Sequence, residues 1–277
     1  MGSYADSTIE ILKSRYYLRD NKGELIENAP EQMFRRVAHN IAQAEITAEL
    51  RSYWEEKFFN AMNNQLFMPN TPSLMNAGTG KCLSACSVLG RIPDTLEGIY
   101  EYISKSAKLT KFGLGIGFDL SAIRPKNSII QSSGGKSAGV VNWMTLIQAM
   151  ATTTIQGDKA RRAANMVGLR FNHPDIFDFI NCKYKNNDFS AINISVVITD
   201  NEMKKALNRE EITLEWNGIE YDTVNAGDIY DQIIHNAHGD GDPGFLFLDR
   251  INLDNPFNLQ DGNFDINNEH YITITNP

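Results

Sequence analysis

The sequence is short of cysteine, with three in 277 residues. Three is too few, and an odd number, for the disulfide framework of a small secreted protein. Cys82 and Cys86 have CxxxC spacing, yet no second Cys/His pair lies nearby in sequence to complete a zinc site, and Cys182 reads as structural. The five histidines, His39, His173, His235, His238 and His270, share no ligand spacing. Long apolar runs are also missing, and no window approaches the ~18 residues a membrane span needs. Residues 1–18 lack the basic-then-apolar order of a secretory leader. A cytoplasmic protein with no membrane association is the expectation. Positive charge is scarce as well: the net charge of −8 argues against a nonspecific nucleic-acid binder. Local Lys, Arg and backbone N–H groups could still hold individual phosphates.

Two nucleotide-binding motifs are absent despite suggestive fragments. Gly134-Gly135-Lys136-Ser137 resembles the end of a Walker A loop, but Ile130 stands where that motif needs glycine. Gly113-Leu114-Gly115-Ile116-Gly117 has the wrong spacing for a dinucleotide fingerprint. Glycines inside a strand still signal close approach of something to the backbone.

What the chain does have is concentrated between Met68 and Leu89. Pro69, Pro72, Gly78 and Gly80 punctuate small polar residues there, before Cys82 and Cys86 enter an apolar run. Proline fixes backbone and removes donors, while glycine permits close approach, so the stretch suits holding a ligand. Leu83 to Leu89 reads as a short buried strand carrying Cys86. That thiol could serve redox chemistry, act as a nucleophile, or simply be a small buried hydrophobe.

Ahead of this stretch the pattern is helical. Ile9, Leu12, Met33, Phe34, Val37, Ile41 and Ala44 recur at helical spacing, with Pro30 at a helix start and a turn over 19–24. A further helix around 47–66 carries Leu50, Tyr53, Trp54, Phe58 and Met62. After the stretch, Asp94-Thr95-Leu96-Glu97 can cap a helix to about Phe112, with Leu96, Ile99, Tyr100, Ile103 and Ala107 as its buried stripe. Strands over 113–120, 166–171, 192–199 and 245–248 alternate with helices over 140–154 and 174–180, and a last strand is expected over 271–275. Such alternation implies a largely parallel sheet, open or closed. Asp94, Arg124 and the loop cations Lys159, Arg161 and Arg162 could together hold a nucleotide, or be solvated loop charges.

In combination these segments resemble the large catalytic subunit of ribonucleotide reductase, and most closely its adenosylcobalamin-dependent (class II) branch. The matching words are Pro69-Asn70-Thr71-Pro72-Ser73-Leu74-Met75-Asn76-Ala77-Gly78, Leu83-Ser84-Ala85-Cys86 and Asp94-Thr95-Leu96-Glu97-Gly98-Ile99. Further words are Ile123-Arg124-Pro125, Ser132-Ser133-Gly134-Gly135, Arg161-Arg162-Ala163-Ala164-Asn165-Met166, His173-Pro174-Asp175-Ile176, Asn193-Ile194-Ser195-Val196 and 242–252. The resemblance implies a helical N-terminal domain, over 1–66, followed over 67–277 by the first half of a ten-stranded α/β barrel. It implies that Cys86 is one of two cysteines that reduce the ribose 2′ position and become a disulfide. Thr71, Ser84, Ala85 and Gly115 match positions that hold substrate, and Asn276 matches the substrate-binding asparagine of the catalytic centre. Asp94, Thr95, Leu96 and Arg124 match the specificity site for a dNTP or ATP effector. The loop from Lys159 to Ala164, with Arg161, matches the segment relaying effector choice to the substrate.

Family members continue after Asn-Pro with Cys-Gly-Glu, whose cysteine carries the thiyl radical; here Asn276-Pro277 are the last residues. The expectation is therefore an N-terminal piece of a split reductase, completed by a C-terminal chain or by intein-mediated trans-splicing and inactive alone. Adenosylcobalamin, a ribonucleotide substrate, a thioredoxin-like reductant and dimerisation of the complete enzyme follow from the same resemblance. The alternatives are a diiron-dependent (class I) large-subunit fragment and a catalytically silent dNTP-binding regulatory protein. Cys82 stands where a polar residue is usual and is given no redox role.

Overall fold

The computed structural model describes residues 4–154, 165–185, 188–253, 255 and 272. The chain divides into two compact units, Met1–Ala85 and Cys86–Pro277.

The first unit is helical, as expected. It contains α1 (Asp6–Ile11), a π-helical turn (Leu12–Tyr16), α2 (Pro30–Ala42), α3 (Ala48–Asn63) and α4 (Thr71–Asn76). Pro30 opens α2, where its missing N–H costs nothing, and the Thr47 hydroxyl caps α3 by accepting from Leu50 N at 3.2 Å. Met33, Phe34, Val37 and Ala38 of α2 pack with Met62, Leu74 and Ala77 into one core. Ile41 and Ala44, read as part of that stripe, are exposed, because α2 ends at Ala42 and turns away. Of the apolar residues expected on α3 only Met62 is buried, while Leu50, Tyr53 and Trp54 remain exposed.

A buried ion pair ties this unit together. Arg36 Nε and Nη2 donate to Glu27 at 2.6 and 3.0 Å, and Leu18 N donates to the same carboxylate at 2.8 Å. The guanidinium also donates to Ala77 O at 2.8 Å and Leu74 O at 3.0 Å, so one side chain joins α2, the 18–27 segment and the end of α4.

The second unit is built on a parallel sheet in the order β1-β2-β3-β4-β7. Its strands are β1 (Cys86–Val88), β2 (Gly115–Asp119), β3 (Asn165–Arg170), β4 (Ile192–Ile198) and β7 (Gly244–Phe247). The helices are α5 (Leu96–Lys111), α6 (Val140–Thr153), α7 (Ile176–Asn181), α8 (Asp200–Asn208), α9 (Ala226–Asp240) and α10 (Leu248–Leu253). Five parallel strands in sequential order are the half-barrel the sequence led us to expect. The central strands are near-continuously buried, β2 throughout, as a sheet covered on both faces requires.

Three details correct the sequence reading. Leu83–Leu89 is not a buried strand: β1 has three residues, lies at the sheet edge and leaves Val88 exposed. The expected 245–248 strand, β7, is the opposite edge and is likewise only partly buried. On α5 the buried line is Ile99, Tyr102, Ser106 and Thr110, whereas Leu96 and Tyr100 are exposed. Small hydroxyl residues let α5 lie close to β2, a choice hydrophobicity alone cannot reveal. Between α8 and α9 there is also an antiparallel hairpin, β5 (Glu211–Trp216) and β6 (Ile219–Asn225), that the expected alternation had passed over. Its turn is Asn217-Gly218, both at positive φ (52° and 74°), the dipeptide that a two-residue hairpin favours.

Arg36→Met removes the charge and keeps the aliphatic stem, leaving Glu27 buried without its partner. The expected loss is about 3–5 kcal/mol in urea unfolding. The double variant Arg36→Met/Glu27→Gln, which keeps an acceptor for Leu18 N, is expected to unfold at higher urea than the single. Equal or lower stability of the double variant would remove the charge argument.

Candidate functional site

Within the first unit, the residues 68–85 form a cradle fastened by asparagines. The Asn70 carbonyl caps α4 by accepting from Ser73 N at 3.1 Å, and its amide reaches Leu83 O at 3.5 Å. Asn76 donates to Cys82 O at 2.8 Å. These two side chains hold the returning limb against α4. Gly78, at φ +78°, turns the chain where a Cβ would sit 3.4 Å from Arg36 Cγ. Thr71 and Ser84 are exposed and Ala85 half-buried, with Tyr16 Oη 3.4 Å from Thr71 Oγ1. Cys82 accepts from Ser84 N at 3.4 Å through its sulfur.

Within the second unit, strand register sorts the side chains. Partners in a parallel register share a face, and faces alternate along each strand. Phe118, Val167, Ile194 and Val196 fall on one face, where Tyr102 of α5 packs against Phe118 with ring centroids 5.4 Å apart. The other face carries Cys86, Gly115, Gly117, Met166, Gly168, Asn193, Ser195 and Gly244. Cys86 is directly opposite Gly115. Gly115, in register with Cys86, and Gly117 lie next to the thiol strand, and β2 is buried throughout.

Asp94 and Arg124 meet, as expected, but they bind each other. Arg124 Nε donates to Asp94 Oδ2 at 2.8 Å, its backbone N to Oδ1 at 3.1 Å, and Nη2 to Asp94 O at 3.3 Å. Thr95, rather than Asp94, caps α5, accepting from Gly98 N at 3.1 Å, and Leu96 is 59% exposed beside it. Gly98 is required, since a Cβ would lie 2.8 Å from Pro93 Cβ.

A second hub fixes the segment around Arg124. The Asp175 carboxylate accepts from Lys126 N at 3.0 and 3.1 Å and from Val140 N at 3.0 Å. His173 Nε2 lies 3.0 Å from Ile123 O, and its Nδ1 accepts from Asp175 N at 3.0 Å. That pattern makes Nε2 the protonated nitrogen of a neutral ring. Burial is the main reason its pKa falls below the usual value, against opposing pulls from Ile123 O, Asp175 and Asp119. The sequence showed His173 only as a histidine without ligand spacing and as part of a matching word; the signal for more was an aspartate two residues on. Burial pushes the Cys182 thiol up to about 12, in keeping with a structural residue. Among the described residues no His/Cys/Asp/Glu group could hold a metal ion. Lys159, Arg161 and Asn276, with the 156–162 loop and the expected 271–275 strand, lie outside the described residues.

A helical unit followed by a parallel half-barrel whose edge strand carries a thiol defines a reductase-barrel class of protein. Residues 3–82 match the family described as ribonucleotide reductase, all-alpha domain, and residues 84–277 match ribonucleotide reductase, barrel domain. The chain belongs to the ribonucleotide reductase large-subunit family. It is similar to a vitamin B12-dependent ribonucleoside-diphosphate reductase of Thermoplasma acidophilum, at 33% identity over 98% of this chain and 42% of that protein. A protein of the same name from Mycobacterium tuberculosis is 35% identical over 90% of this chain and 37% of its own length. The ribonucleoside-diphosphate reductase subunit alpha of Helicobacter pylori is 29% identical over 90% of this chain and 34% of its own. The chain thus spans about two-fifths of the length of the B12-dependent relatives. No described helix is long and apolar enough to cross a membrane.

His173 gives a pH signature. Its folded pKa is depressed, so its contribution to stability is present above the ordinary value of 6.5 and is lost as pH falls below it. Melting temperature should fall between pH 7.5 and 5, with a shallower fall in His173→Gln. An identical slope in the variant would clear His173.

Proposed function

We infer that this chain supplies the helical domain and first half-barrel of an adenosylcobalamin-dependent ribonucleotide reductase, acting with the remainder of that barrel. The observation that carries the reading is Cys86 opposite Gly115 on a glycine-lined sheet face. Replacing a 2′-hydroxyl by hydrogen takes two electrons and two protons. Two thiols supply them, forming one disulfide and releasing water. Cys86 provides one thiol, and barrel sequence outside this chain provides the other. A thioredoxin-like dithiol then reduces the disulfide. Excluding water from the sheet face protects the radical stage.

By the family resemblance, Thr71, Ser84, Ala85 and Gly115 would take part in holding substrate phosphate or ribose. Asn276 would add an amide at the same centre. Asp94, Thr95, Leu96 and Arg124 would receive a dNTP or ATP effector, with Lys159 and Arg161 on the connecting loop. Effector-dependent substrate choice needs a coupling free energy between two sites, which a loop joining them can carry. Adenosylcobalamin, suggested by the B12-dependent relatives, would supply the initiating radical when bound. Its corrin brings its own ligands to cobalt, so it needs no metal-ligand cluster from these residues.

The test combines the chain with the C-terminal barrel, adenosylcobalamin, a ribonucleotide and a dithiol. Deoxyribonucleotide should form over many turnovers. Cys86→Ser should abolish multiple turnover while dNTP binding by calorimetry is retained; sustained turnover in that variant removes Cys86 from the mechanism. Asp94→Ala frees Arg124 and should weaken dNTP binding about tenfold or more. Binding of dNTP with no turnover under any combination would favour a purely regulatory protein.

A further inference from the structure

We propose that the second unit carries a separate site for a phosphate-class oxyanion, between the ends of β2 and β3 and the turn of the β5–β6 hairpin. A cleft of about 200 Å³ there is lined by Arg91, Ser121, Arg170, Asn172, Glu215 and Trp216, among others. None of the residues matched to substrate or effector lies in it.

The cleft is built rather than incidental. Glu215 N donates to Asn172 O at 2.9 Å, and Trp216 Nε1 donates to Ala122 O at 3.0 Å, so the hairpin is fastened across the strand ends. Ser121 Oγ accepts from Arg170 N at 3.1 Å, which leaves its own proton for a ligand. Register with Val197 puts Arg170 on the same sheet face as Gly168.

Its charge balance selects an anion. The other well-placed arginines of this chain are satisfied: Arg36 by Glu27, Arg124 by Asp94, Arg209 by Asp231 and Arg250 by Asp200. Arg91 and the Arg170 guanidinium have no hydrogen bond or ion pair among the described residues, yet both face this one cleft. Against two guanidiniums the lining sets one carboxylate, Glu215, which accepts from Asn172 Nδ2 at 3.3 Å. Glu202 senses the Arg170 charge, but it is committed to Thr199 N and Oγ1, both at 2.8 Å. His173, also on the lining, is neutral and already bonded at both nitrogens. Planar guanidiniums fork onto tetrahedral oxyanions with charge-assisted bonds. The volume suits a phosphate group with a few waters and is too small for a whole nucleotide, whose sugar and base would project past Trp216.

The whole chain is titrated with orthophosphate, and separately with a nucleoside 5′-monophosphate, against chloride at equal ionic strength. Calorimetry and melting temperature are the readouts. Orthophosphate should bind saturably and raise the melting temperature. Arg91→Gln, at an exposed loop position, and Arg170→Gln should each weaken binding about tenfold. Lys105→Gln, on the exposed face of α5, should leave it within about twofold. A nucleotide that binds more tightly than orthophosphate and is weakened by the same two variants identifies the oxyanion as the end of a larger ligand. Phosphate behaving as chloride does, or binding that survives both arginine variants unchanged, overturns the proposal.

Discussion

One buried carboxylate holds the backbone around Arg124 in place. Asp175 accepts from two backbone N–H groups, that of Lys126 shared between both oxygens and that of Val140, and its own N–H is taken by His173. His173 in turn holds Ile123 O. Arg124 therefore sits on a backbone pinned on both flanks, at Ile123 and Lys126. Gly139 shows how tightly this hub is closed. It lies at φ +83°, and a Cβ there would stand 2.7 Å from Asp175 Oδ2 and 2.8 Å from Lys126 Cβ. No other residue combines that backbone angle with that clearance. A carboxylate bonded this fully does not need a cation beside it; backbone dipoles supply the compensation.

The two faces of the sheet divide the work. The helix-covered face is filled by Phe118, Val167, Leu169 and Ile194, each at most 1% exposed, and supplies the burial that makes the unit fold. The opposite face gives up side-chain packing at Gly115, Gly117 and Gly168, although these positions stay buried. Glycine in a strand weakens it and offers nothing to pack. Strands so weakened persist because their neighbours in register carry the packing one residue away, at Ile116, Phe118 and Val167. Alternation along a strand lets stability and open space coexist in the same few residues.

How much of this was legible depended on where the information sits. Helices with a proline start, strands bounded by glycine and the parallel alternation were readable because period and punctuation are local properties. The α5 stripe was misread because its buried line uses Ser106 and Thr110, whose value is small size against β2 rather than hydrophobicity. Leu83–Leu89 was overextended because an edge strand needs only three paired residues, and apolar composition does not report pairing. The hairpin was missed although Asn217-Gly218 announced it; the parallel pattern around it dominated the reading. The Arg91–Arg170 cleft could not have been found from sequence. Its lining comes from four separated segments, and what marks it is the lack of partners for two cations.

The Asp94–Arg124 pair shows why finding residues together is a weaker statement than finding them available. From spacing, the two could together hold a nucleotide or be solvated loop charges; the structure joins them to each other. The geometry leaves both roles partly open. Arg124 spends its Nε and Nη2 edge on Asp94, so the end-on edge formed by its two terminal nitrogens can still meet a phosphate. Both side chains are partly exposed, at 27% and 20%. An anion approaching from solvent would find a guanidinium already oriented and held by a pinned backbone, and so would lose little side-chain entropy on binding. It would also meet repulsion from Asp94, which penalises an anion that cannot reach past the pair. A preset ion pair of this kind trades affinity for orientation.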